Sequence, residues 1–181
     1  RKGMLTRATT ATAQQKSMDW FFKTIRASEN EFRKGSFSVR DHPFIGGMFY
    51  FIYDAKHKAT LPYWDKFPLV IPIETYSDGF LGLNLHYINP ILRAKLLDIL
   101  IQKYTRSSTS RTYMAVTYRI LKSVAAMKMY EPCVHRYLTD HMKSRVVMVT
   151  ADMWEEAAFL PTARWVGATN QQVWADSKRR I

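Results

Sequence analysis

Cysteine is all but missing. Cys133 is the single one in 181 residues, so no internal disulfide can form, and the chain fits a reducing compartment or a setting that needs no disulfides. Acid is scarce beside base, with 15 Asp and Glu against 27 Lys and Arg and a formal charge of +12. Such an imbalance points to an anionic partner, whether nucleic acid, an acidic protein surface or a membrane face; it also serves solubility or offsets an acidic neighbour in an assembly. No apolar run approaches the about 18 residues that a membrane span requires. The opening RKGMLTRATTATAQQK lacks the apolar block of a secretory signal. These absences favour a soluble protein, intracellular or bound to a particle. Nucleotide and hydrolase signatures are missing as well: no Gly-x-Ser-x-Gly elbow, P-loop or Gly-x-Gly-x-x-Gly occurs. There is no internal repeat.

What is present is apolar and aromatic. Hydrophobic residues make up 47% and aromatics 14%, which excludes wholesale disorder and allows one domain with a proper core. The stretch Leu61–Tyr87 reads as a β-hairpin. Leu81, Leu83, Leu85 and Tyr87 alternate with Phe80, Gly82, Asn84 and His86, and Leu69, Ile71 and Ile73 share their parity. Because a one-residue slip turns every side chain over, register must set apolar against apolar. A three-residue loop, Ser77-Asp78-Gly79, achieves this by pairing Ile73 with Leu83, Ile71 with Leu85 and Leu69 with Tyr87. Gly79 then takes positive φ. Pro68 and Pro72 cannot donate to a ladder, so the first arm is an edge strand or carries a bulge. Met48 to Tyr53 is aromatic on both faces, as suits a central strand. The expected class is α+β: a small antiparallel SH3-like β-barrel or bent sheet with helical additions.

Residues 1–16 form an acid-free basic arm, and residues 17–181 one α+β domain, with its sheet near 48–88 rejoined by a strand near 146–150. Helices are expected near 17–29, 90–104, 111–128, 132–143, 152–159 and 170–180. Asn89-Pro90 opens the second sharply. Pro132 opens the fourth, with Val134, Tyr137, Leu138, His141 and Met142 at helical spacing. Asp152 with Glu155 and Thr169 with Gln172 make capping boxes for the last two.

Catalytic and metal chemistry find little support. Cys133, His135 and His141 lie close together, but Cys-x-His is not a ligand-pair spacing and no second cluster completes four ligands. No metal and no cofactor is expected. The carboxylates Asp54, Asp65, Glu74 and Asp78 are scattered. The basic distribution is the better lead. From Lys103 to Tyr130 there are cations and no acid, and Arg111, Arg119 and Lys122 fall near one helix face, with Arg106 before them and Lys128 after. With Arg1, Lys2 and Arg7 in the arm and Lys178, Arg179 and Arg180 in the tail, they could follow a phosphate backbone without reading bases. A solvated helix face is the bland alternative. Tyr63 and Trp64 are candidate aromatic contacts to a base or a protein, although large aromatics in a small β domain more often close the core.

The segments LPYWDKFPLVIPIETYSDGFLGLNLHYINPILRAKLLDIL and WEEAAFLPTARW with QQVWADSKRRI resemble virion-associated proteins of T-even-type tailed phages, specifically the DNA end protector, or head-completion, group. The resemblance implies a non-enzymatic virion protein that binds and protects the ends of packaged double-stranded DNA, beside other virion proteins and later in the host cytoplasm. An architectural neck, tail or baseplate subunit facing acidic protein neighbours is the alternative. A nuclease is the third. Oligomeric state is left open.

Overall fold

A computed structural model of the chain describes residues 39–104, 110–149, 154–159 and 161–181. The basic arm 1–16 and the helix expected at 17–29 lie outside them. Eight strands are present among the described residues: β1 (Val39–Arg40), β2 (Met48–Tyr50), β3 (Trp64–Asp65), β4 (Leu69–Tyr76), β5 (Gly79–Asn84), β6 (Val134–Leu138), β7 (Val146–Val149) and β8 (Trp165–Val166). Six of them form one sheet in the order β1-β7-β2-β4-β5-β6, and β3 pairs with β8 in a separate ribbon. Every pairing is antiparallel. The architecture is α+β, and the large sheet is open, with β1 and β6 as its edges, rather than closed into a barrel.

Period-two alternation explains both faces. Met48, Tyr50, Leu69, Ile71, Ile73 and Leu83 point to one side, where they pack with Leu96, Leu97, Leu121, Val124, Ala157 and Val173 from the helices. Phe49, Phe51, Val70, Phe80 and Tyr137 occupy the other side in a second, mainly aromatic cluster. Phe51 and Tyr53 meet Tyr137 edge-on, at 5.3 and 5.0 Å, and Phe80 stacks on it at 5.4 Å. A strand buried on both faces needs apolar residues at every position, which is what β2 supplies.

The hairpin differs from expectation. Tyr76 pairs with Gly79, so Ser77 and Asp78 alone make the turn, and the three-residue loop is overturned. Parity is restored by a bulge at Ile73: Glu74 faces Leu81 before it, and Ile71 faces Leu83 beyond it. Apolar still meets apolar, because the extra residue sits in the strand rather than in the turn. Gly79 is not at positive φ, which among the described residues occurs at Gly46 and Gly167. It is glycine for a different reason: a Cβ there would stand 1.9 Å from the Tyr137 carbonyl oxygen on β6. The first arm is interior, between β2 and β5, and carries the bulge that Pro72 foreshadows. The second arm ends at Asn84, and Leu85–Tyr87 turn away as a 3-10 helix whose His86 N–H donates to Asn84 Oδ1 at 3.0 Å.

Helix α1 (Pro90–Tyr104) opens with the Leu92 N–H donating to Asn89 Oδ1 at 3.0 Å. Helix α2 spans Ser110–Ala125, α3 Trp154–Phe159 and α4 Asn170–Arg180. The Asp152 cap lies outside the described residues, whereas the Thr169–Gln172 box is formed. The helix expected at 132–143 is not there. Lys128–Cys133 is a 3-10 helix, Val134–Leu138 is β6, and Thr139–His141 is another 3-10 turn. Apolar positions 134, 137 and 138 suit either element. The open side of β5, where Gly79 lets a neighbouring backbone come close, captures this segment as a sheet edge.

Candidate nucleic-acid interface

Polar side chains first fix the frame on which the interface stands. The Asp65 carboxylate, 4% exposed, accepts from the Phe67 and Arg164 backbone N–H groups at 3.0 and 3.1 Å and from Asn84 Nδ2 at 3.1 Å. His86 Nδ1 lies 2.6 Å from Asp65 Oδ2, and its Nε2 lies 3.0 Å from Thr162 Oγ1, which in turn sits 3.0 Å from the Tyr50 hydroxyl. Burial works to raise the Asp65 carboxyl, but the adjacent His86 and the converging donors outweigh it and hold it below the usual carboxylate value. Burial pushes His86 below its ordinary value, against the pull of Asp65. The Asp–His–hydroxyl line superficially matches a nucleophile relay. All three side chains are nevertheless buried and bonded to one another, so no substrate atom can reach the Thr162 hydroxyl. The network ties the β3–β8 ribbon to the end of β5.

Helix α4 is anchored against the same corner. Ser177 Oγ donates to the Tyr87 carbonyl at 2.7 Å, Trp174 Nε1 to the His86 carbonyl at 3.0 Å, and the Tyr63 hydroxyl to Asp176 Oδ2 at 2.7 Å. Arg93, buried, reaches the Ile88 and Ala158 carbonyls at 2.8 and 2.9 Å and lies over the Trp174 ring. Its charge is thus held by carbonyl dipoles and an indole face; burial brings its pKa down to about 10. These anchors place Lys178, Arg179 and Arg180, all exposed, at the helix C-terminus, where cations are favoured. Arg180 lies near enough to Tyr63, Tyr87 and His135 to act on the ionisation of each.

Beside this corner is a pocket of about 390 Å³ bordered by the 53–65 segment, Tyr87 and β6. Trp64, half-buried, forms one wall; Lys56, His57 and Leu61 are exposed at its margin. On the other side His135 stacks on Tyr87 at 4.0 Å, and Tyr87 meets Trp165 edge-on at 4.8 Å. His135 Nε2 donates to the Pro132 carbonyl at 2.8 Å. Burial, reinforced by the Arg180 charge, brings His135 down to about 4, so the ring is neutral at pH 7 and keeps Nδ1 as an acceptor.

A family model described as Phage T4 terminal DNA protecting protein matches residues 2–177. The chain belongs to that family. No curated protein and no solved structure matches it. The family is defined by protection of DNA termini and not by a reaction, and this member is a protecting protein rather than an enzyme.

The residues expected to touch DNA fall in separate places. Arg1, Lys2, Arg7 and Arg106 lie outside the described residues, as does the side chain of Arg111. Arg119 is exposed on α2, and Lys128 is exposed at the start of the 3-10 helix that follows. Lys122 is ion-paired with Glu74 on β4 and reaches over the Tyr118 ring. Arg179 and Arg180 lie near Tyr63, and Arg180 also near Tyr87 and His135 in the wall of the pocket that Trp64 lines; Lys178 is exposed on the same last turn of α4. Arg179 also pairs with Asp176 at 3.3 Å. Lys56, His57, Tyr87 and His135 are not among the residues that the sequence alone points to for DNA contact. The Lys-His-Lys run at 56–58 is a visible signal for two of them, but in sequence it reads as a polar connection. Of the metal candidates, Cys133 is buried, His135 is bonded to Pro132 and His141 Nδ1 lies 2.9 Å from the Asp54 carbonyl oxygen. Among the described residues no three His, Cys, Asp or Glu side chains converge.

Proposed function

We propose that the chain protects DNA termini by binding them directly, through phosphate contacts that carry no base specificity, and that it does so within a phage particle as a head-completion component. The observation that supports this reading is an exposed Lys178 and Arg180 on the last turn of α4, with Arg180 near Tyr87 and His135 in the wall of an aromatic pocket margined by Lys56. None of these three cations makes an ion pair among the described residues. Phosphates supply the missing counter-charge and release their own counterions on contact. Arg119 and Lys128, both exposed, offer the same phosphate chemistry, and the charges of Arg106, Arg111, Arg1, Lys2 and Arg7 are proposed to add to it.

Salt and topology test this reading. The affinity for linear duplex should fall steeply with salt, log K against log salt being linear with a slope of about −0.9 per phosphate neutralised. Changing Lys178 and Arg180 to Glu should weaken binding and flatten that slope by about 2. Linear duplex should outcompete closed circular duplex of the same sequence. Equal competition by the two forms contradicts end binding.

A second reading applies to the far end of α2. Tyr118, Met127 and Met129 are each 38% exposed beside Arg119 and Lys128. Apolar surface among cations suits a protein neighbour in the particle. If so, Met127→Ser with Met129→Ser leaves DNA affinity unchanged and lowers incorporation into particles; unchanged incorporation removes this reading.

A further inference from the structure

We propose that the pocket between the 53–65 segment and β6 receives one unpaired nucleotide at the end of a duplex, its base against Trp64 and its phosphate between Lys56 and Arg180. The inference rests on the end-binding reading above and specifies the ligand of that site. Pocket size sets the first limit: about 390 Å³ is the scale of a small-ligand site, room for one nucleotide and not for a double helix. Its lining sets the second. An indole wall, the exposed Leu61 at the margin (43% exposed) and the stacked pair His135–Tyr87 offer π and apolar surface, while Lys56 lines the pocket and Arg180 sends its charge onto the Tyr87 and His135 wall from outside it.

Acids nearby do not cancel that charge. The Asp65 carboxylate is engaged inward by His86, Asn84 and two backbone N–H groups, and Asp54 is paired with Lys58 at 2.9 Å. The neutral His135 ring adds an acceptor for an exocyclic amino group. Every base has a face to stack, so such a pocket is tolerant of sequence. It is not tolerant of position. An internal nucleotide must lose a pair and two stacking partners to enter, whereas a terminal one is stacked on one side only and frays readily. A protein that reads no bases acquires a preference for ends in this way.

The full-length protein is titrated into linear duplexes carrying 2-aminopurine either at an unpaired terminal position or at an internal paired one. The expected result is quenching of the terminal probe and no change at the internal probe. Trp64→Ala should abolish the quench and reduce the linear-over-circular preference by about tenfold, while salt-dependent duplex binding persists. Lys56→Glu, at an exposed position that leaves the core untouched, should weaken the terminal signal in a protein with wild-type thermal unfolding. Addition of dAMP at the same concentration as the duplex should leave the quench intact; displacement by it would assign the pocket to a free nucleotide and overturn the proposal. A terminal probe that stays bright while linear DNA is still preferred over circular overturns the pocket alone. Loss of that preference in the wild type overturns end binding itself.

Discussion

The Asp65 carboxylate, surrounded by His86, Asn84 and the backbone of Phe67 and Arg164, holds charge where little water reaches. Removing the carboxylate leaves the buried donors of His86, Asn84 and two backbone N–H groups without their acceptor, at a cost of about 1–3 kcal/mol each. Asp65→Ala should therefore lower the urea midpoint by that equivalent, and a midpoint within about 1 kcal/mol of wild type contradicts the assigned role. The same groups set the response to pH. His86 and His135 are held below their ordinary values, His135 at about 4, so on acidification the unfolded chain takes up protons near 6.5 while the folded one does not. Stability is then lost as pH falls from about 6.5 towards 4. The Asp65 carboxyl, also depressed, contributes stability that is present above its unfolded value of about 3.9 and disappears as pH falls through its folded one. Denaturant midpoints measured between pH 7 and 4 should decline throughout, with a shallower decline in His135→Gln; a flat profile contradicts the neutral state of these rings.

Helix α4 shows how an element positions charge. Its capping box and the anchors from Tyr63, Trp174 and Ser177 hold the last turn against Tyr87. Ser177→Ala with Tyr63→Phe should cost about 1 kcal/mol per lost bond and raise hydrogen exchange through residues 174–180, with DNA affinity falling although no cation was altered. Unchanged exchange there would mean the anchors are dispensable. This helix was legible because its signals are local: Thr169 and Gln172 are three apart, as are the helix-opening contacts of Asn89 with Leu92. Residues 134–138 were not legible in the same way, since their spacing fits two elements and the choice is made by an edge more than fifty positions upstream. The hairpin falls between these cases. Its apolar parity could be read directly, but whether the odd residue sits in the turn or in a bulge is decided by Gly79 accepting the Tyr137 carbonyl at close range, a contact no local pattern records.

Across the whole molecule, the net charge of +12 is distributed unevenly in its effect. Lys122, Arg136 and Arg145 are tied to Glu74, Asp78 and Asp41, while among the described residues Lys56 at the pocket and Lys178 and Arg180 at the end of α4 make no ion pair. The tail cations and Trp64 stood out in the sequence as a charge run and an aromatic pair. Their convergence with residues 56, 87 and 135 did not, because it depends on the Asp65 network and on α4 folding back onto the turn after β5. A terminus held in that corner is sterically closed to an enzyme that must thread it. The most direct test is the survival of linear duplex under a processive exonuclease, with wild-type protein and with Lys56, Lys178 and Arg180 changed together to Glu. Wild-type protein should preserve full-length DNA in low salt, and the triple variant, folded as judged by its thermal transition, should lose that protection by at least about tenfold. Equal protection by both proteins would contradict the account.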